Sequence, residues 1–93
     1  MLEKKIETKL REEVKKQGGK AYKFVSPGNA GVPDRLVVLP DGKIGFVEIK
    51  RKGAKPRPLQ VNRIKELEKL GCLVAVIDCV EDIAPLLETI RKR

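Results

Sequence analysis

Glu48, Ile49 and Lys50 close one strand-like run of this chain, and Pro33-Asp34 opens an earlier one. Side chains alternate across a strand, so Glu48 and Lys50 project from one face and Ile49 from the other. Between the two runs, Leu39-Pro40-Asp41-Gly42-Lys43 carries an Asp-Gly pair, which supplies the positive backbone angles of a tight hairpin turn. With Asp41 and Gly42 in the turn, Pro40 faces Lys43, and counting back sets Asp34 opposite Ile49 and beside Glu48. Two carboxylates and an ammonium then converge. Hard divalent cations such as magnesium or manganese take oxygen ligands and keep several waters, so Asp34, Glu48 and the carbonyl of Ile49 are the candidate metal ligands. A lysine beside them can orient or deprotonate an attacking water and stabilise charge gathering on a phosphate, the two tasks of phosphodiester hydrolysis. Lys50 is the candidate for that role. The second Pro-Asp pair, Pro40-Asp41, lies at the hairpin tip, roughly 23 Å of strand from Glu48, and is excluded.

These groups must be positioned by a regular scaffold, and the periodicity supplies one. Leu2, Ile6, Leu10 and Val14 recur every four residues before Gly18-Gly19, which predicts a first helix from about Leu2 to Gln17. On its wheel Glu3 falls within the apolar arc and Glu7 just beyond it, so Glu3 points inward and is the better candidate for a share in the site. A glutamate this close to a helix start also complements the macrodipole. Ala21 to Val25 reads as a short strand, and Ser26 to Pro33, rich in glycine and proline, as the loop leading into the site. Arg35 to Leu39 is nearly all apolar, as for a central strand, and pairs with Lys43 to Lys50 as a hairpin. After Pro56-Arg57-Pro58 a helical period resumes through Ile64, Leu67 and Leu70, predicting a second helix from about Leu59 to Leu70. Gln60 sits on its inner face, where its amide either reaches the site or the scissile phosphate or is a satisfied, half-buried amide. Cys72 to Asp78 is a continuous apolar strand, placed parallel to the sheet by the helix before it. Val80 to Arg93 reads as a closing helix in which Pro85 falls early enough to be tolerated.

Composition narrows the chemistry further. Ninety-three residues make one domain, 1-93, too small for a large core. The sequence contains no histidine, which removes histidine general bases and most zinc sites and favours carboxylate chemistry. Lysine and arginine outnumber aspartate and glutamate by 21 to 13, a formal charge of +8, and point to a polyanionic partner. Lys52, Lys55 and Arg57 follow the proposed site directly, where a phosphate backbone would run. Cys72 and Cys79 are an odd number of residues apart, on opposite faces of a strand, and are read as buried small apolar residues. The charged start and the absence of a membrane-length apolar run predict a cytoplasmic protein without a membrane partner. A competing reading is a non-catalytic basic nucleic-acid-binding module in which Asp34 and Glu48 only pair with nearby cations. One tyrosine and two phenylalanines offer little for stacking single strands, which weakens it.

The order helix, three strands, helix, strand, with Glu3, Gly31-Val32-Pro33-Asp34-Arg35, Phe46-Val47-Glu48-Ile49-Lys50, Gln60 and Gly71, resembles the VRR-NUC family of PD-(D/E)xK nucleases over nearly the whole chain. The resemblance implies an α/β, restriction-endonuclease-like αβββαβ core with a mixed central sheet, followed by a C-terminal helix. It implies magnesium or manganese held by Asp34, Glu48 and the Ile49 carbonyl, with Lys50 catalytic, Glu3 and Gln60 contributing, and no small-molecule cofactor. It is similar to the short, stand-alone, phage-like members, which implies a homodimeric endonuclease acting on DNA, with branched or Holliday-junction-like DNA as the specific expectation.

Overall fold

The computed structural model describes residues 2–93. The first helix, α1 (Glu3–Lys16), forms because Ile6, Leu10 and Val14 stack on one face and are fully buried. Lys15 and Lys16 in the last turn complement its dipole, and Gly18, with φ of 83°, ends it as the Gly19 N–H reaches the Val14 carbonyl at 3.0 Å.

Three strands follow: β1 (Lys20–Lys23), β2 (Arg35–Leu39) and β3 (Lys43–Ile49), each antiparallel to the one before. The turn between β2 and β3 corrects the expected register. It takes three residues, Pro40–Gly42, and Leu39 rather than Pro40 faces Lys43. Asp41 and Gly42 both have positive φ, 66° and 71°, and Pro40 has no N–H to offer a ladder, so all three leave the pairing. The shift of one moves Asp34 across from Glu48, one step beyond the Arg35–Val47 pair. Directly opposed residues share a face, so the observed register joins the two carboxylates, whereas the expected one would have set Asp34 on the side of Ile49.

The second helix, α2 (Pro58–Lys69), starts with proline at a position that needs no donor and closes with Gly71 at φ 90°. It returns the chain to β4 (Val74–Ile77), parallel to β3, giving one mixed sheet in the order β1-β2-β3-β4. β4 is shorter than the expected strand because the Cys72 N–H is bonded to the Leu67 carbonyl in the helix C-terminal closure. The final helix also starts later than expected: Val80–Asp82 forms a 3₁₀ turn, and α3 (Ile83–Arg91) begins after it. Pro85 lies in the first turn of α3, where its missing N–H costs nothing.

α1 and α3 pack on the inner face of the sheet, where Ile6, Leu10, Ile83, Leu87 and Ile90 meet Val37, Leu39, Val47, Ile49 and Ile77. Gly45 on that face lets Ile90 come so close that a Cβ would lie 2.7 Å from its Cδ1. Alternation sends Tyr22, Leu36, Ile44, Phe46 and Val76 to the outer face. Tyr22, Ile44 and Val76 are exposed there, while Phe24 and Phe46 meet edge to face at 5.3 Å. Cys72 and Cys79, expected to be buried, are half-buried, since both lie just outside β4 rather than within it.

Candidate active site

Glu48 is the centre of the candidate site. It sits on the middle strand pair at 2% exposure, where β4 and α2 close over it, an unusual place for a carboxylate. Its Oε2 accepts from Gln60 Nε2 at 2.9 Å and lies 3.4 Å from Lys50 Nζ. Its Oε1 is buried and has no hydrogen-bond partner among the described residues. Burial, and then the neighbouring Asp34 charge, push the Glu48 carboxyl above the usual carboxylate range against the opposing pull of Lys50.

Asp34 is exposed, at the mouth of a cleft whose walls include Glu3, Glu7, Phe24 and Ile49. Its position is set by the backbone on both sides: the Phe24 N–H donates to its carbonyl at 2.7 Å, and its Oδ2 accepts from the Ile49 N–H at 3.1 Å. That bond leaves the other carboxylate oxygen available towards the cleft. Lys50 leaves β3 with its own N–H bonded to the Ile77 carbonyl at 2.9 Å, so the backbone under it is held by β4. The alternation of Glu48 and Lys50 onto one face is therefore observed as a close pair.

Glu3 does not point into the core. It is exposed, because it is the first residue of α1, and Leu2 before it is 75% exposed. The wheel angle alone does not bury a residue in the first turn; Glu3 instead lines the cleft beside Asp34. Glu7, one turn on, is half-buried and ion-paired with Arg35, a contact not foreseen from the sequence. Arg35 is buried and also reaches the Ala21 carbonyl at 3.4 Å, so the residue after Asp34 ties α1, β1 and β2 together at the cleft.

Gln60 is buried and fully engaged. While its Nε2 holds Glu48, its Oε1 accepts from the Arg57 N–H at 2.8 Å and caps the start of α2. Both bonds lie within the site, so the amide does not reach out of it. Lys52, Lys55 and Arg57 are exposed on the loop that leaves the site. That loop is tied to the end of β4 by a bond of 3.0 Å from the Gly53 N–H to Asp78 Oδ2, which holds the Asp78 carboxyl below the usual range. Among the described residues, Asp78, Cys79 and Asp82 form the one group of three acidic or thiol side chains with ligand atoms within 4.8 Å. Asp78 Oδ2 already accepts from the Gly53 N–H.

A divalent cation fits the Asp34–Glu48 pair on the chemistry of its donors. A buried, unpartnered carboxylate oxygen beside a second carboxylate is costly unless a cation satisfies both. The donors are all oxygen, as magnesium and manganese prefer.

A mixed four-stranded sheet presenting this acidic and lysine-bearing site is the framework of a nuclease domain. No family model matches the chain. It is 52% identical over 88 residues, 95% of its own length and 94% of the relative's, to the protein named "Putative nuclease p44" of Acyrthosiphon pisum secondary endosymbiont phage 1. A solved structure described as a VRR_NUC domain superposes with a TM-score of 0.87 at 33% identity, covering 92% of this chain and 94% of that one. A second, a VRR_NUC domain protein, matches in fold with a TM-score of 0.80 at 20% identity, covering 99% and 89%. The chain belongs to the VRR-NUC nuclease family. None of the described helices is long and apolar enough to cross a membrane.

Proposed function

We propose that this protein is a divalent-metal-dependent endodeoxyribonuclease. The observation that carries the reading is the buried Glu48 Oε1, unpartnered among the described residues and set beside Asp34. Asp34, Glu48 and the Ile49 carbonyl would hold magnesium or manganese, which when bound offsets carboxylate charge and the charge developing on a phosphate. Gln60 fixes the Glu48 carboxylate from below. Lys50 Nζ, held near Glu48, presents an ammonium where a water and a phosphate oxygen would meet, orienting the one and stabilising the other. Glu3 stands at the cleft mouth, placed to orient water. Lys52, Lys55 and Arg57 contact the phosphate backbone leaving the site. The competing module without catalysis has the Glu48–Lys50 pair in its favour, but that pair leaves Glu48 Oε1 unsatisfied.

The test is cleavage of labelled duplex and four-way-junction DNA with magnesium, manganese or chelator, with Lys50→Ala beside the parent. Metal-dependent cutting is expected, reduced about a hundredfold or more in the variant. Binding without cutting under either metal would replace the enzyme with the binding module. Preferential cutting of the junction would support the branched-DNA version.

The same reading includes a homodimer, which the outer sheet face supports. Tyr22, Ile44 and Val76 are 48, 47 and 40% exposed on that face, apolar surface that a second copy would cover. Ile44→Glu places a charge on that face without touching the inner core. Light scattering should show a dimer for the parent and a monomer for this variant; a monomeric parent ends the dimer proposal.

A further inference from the structure

The candidate active-site cleft opens sideways into a second depression, between α1 and the free edge of β1. Lys23 and Arg35 line both. Along α1, Glu3, Glu7, Arg11 and Lys15 follow at intervals of four, so they form one row down a single helix face. The row changes sign along its length: its start belongs to the acidic cleft and its end to this groove. Arg11 and Lys15 line it from α1 and Lys20 and Lys23 from β1, with Glu12 the single carboxylate in the lining. All four cations are exposed, and among the described residues none has a carboxylate within ion-pair distance. Arg35 is neutralised by Glu7, so it separates the two regions while leaving the groove strongly positive. At the β1 lip the Tyr22 ring carries the Lys20 ammonium 4.8 Å from its centre.

We infer that this groove is a second phosphate-binding surface, which holds the DNA strand on the side of the cut opposite the loop carrying Lys52, Lys55 and Arg57. The inference rests on the nuclease reading for its choice of DNA. Its length matches the task. From Thr8 to Lys15 α1 rises about 10 Å at 1.5 Å per residue, and a duplex strand places a phosphate about every 3.4 Å of axis, so the groove spans about three nucleotides. The acidic cleft repels phosphate until it is neutralised, whereas the groove attracts it at all times; together they hold a strand across the reacting position. Unpaired cations lining one groove repel, and a polyanion relieves that repulsion.

The test is the salt dependence of binding to a labelled duplex in chelator, where no cutting occurs. Arg11→Gln/Lys15→Gln removes two cations from the groove, and Lys65→Gln/Lys69→Gln removes two from the exposed face of α2. The groove variant should bind more weakly and lower the slope of log K against log salt by about 1.8, at about 0.9 for each phosphate that is no longer neutralised. The α2 variant should leave the slope unchanged. A groove variant with the parent's slope, or an α2 variant whose slope falls as far, overturns the inference, since net charge alone then accounts for binding. Cutting is scored separately with magnesium. A parent that never cuts but shows the groove effect keeps this surface and loses the enzyme, and a parent that cuts without the groove effect does the reverse.

Discussion

Asp34→Asn is expected to lower DNA cleavage by about a thousandfold, equivalent to about 4 kcal/mol of barrier, while leaving melting temperature close to the parent's and metal-free DNA binding no weaker. The substitution changes one atom in a side chain that is exposed, and whose one hydrogen bond among the described residues is accepted from the Ile49 N–H. An amide oxygen accepts that bond equally well, so the hairpin has no reason to rearrange. What disappears is the Asp34 negative charge beside Glu48. Loss of that charge weakens any hold on a divalent cation, and it also relieves the repulsion that helps to raise the Glu48 carboxyl. Manganese titration should therefore show weaker binding in step with the fall in rate. A variant that cuts within tenfold of the parent would remove Asp34 from the chemistry.

Gly19→Ala is expected to destabilise the fold by about 3 kcal/mol, a fall of roughly 12 to 24 °C in melting temperature for a domain of this size. A Cβ at Gly19 would lie 2.3 Å from the Val38 carbonyl oxygen and 3.2 Å from Leu39 Cα, both backbone atoms of β2. Neither can retreat without opening the β1–β2 ladder that begins at Lys20↔Val38. The Gly19 N–H is meanwhile fixed to α1 through the Val14 carbonyl. Gly18→Ala is the informative comparison, because its Cβ would meet nothing nearer than Pro40 Cγ at 3.5 Å, although its φ is 83°. That variant should cost about 1 kcal/mol, for backbone conformation alone. Thermal melts of the two variants separate steric contact from conformation, and equal losses would contradict the close approach at Gly19.

Family membership places the protein among nucleases, and the candidate site is built from few elements. Glu48, the Ile49 carbonyl and Lys50 occupy consecutive positions at the end of β3, which limits how many elements must dock accurately. α2 contributes a single polar side chain, Gln60, yet that is the one buried residue of the helix. The helix is thus held to the sheet at the site itself, and Glu48 and α2 position each other.

Much of this was legible in the sequence wherever the deciding interaction is local. Glu48 and Lys50 share a face because strand alternation has a period of two, whatever packs around them. The stripe of Ile6, Leu10 and Val14, the glycine stop after α1 and the parallel return of β4 follow from similarly short-range rules. Asp34 was recognised as a partner of Glu48, but its register depended on whether Pro40 joined the strand or the turn, a difference of one residue that the Asp-Gly signal does not resolve. Contacts between elements were decided by the tertiary structure alone. Glu3 had the angle of a buried residue, but as the first residue of α1 it is exposed. The Glu7–Arg35 pair, the Gln60 bond to Glu48 and the unpartnered Glu48 oxygen arise from the docking of two helices onto a sheet, at sequence separations of 28 and 12 for the two contacts. Periodicity records which face a residue occupies; the distance across a packed interface is set by the volumes and bonds of everything between.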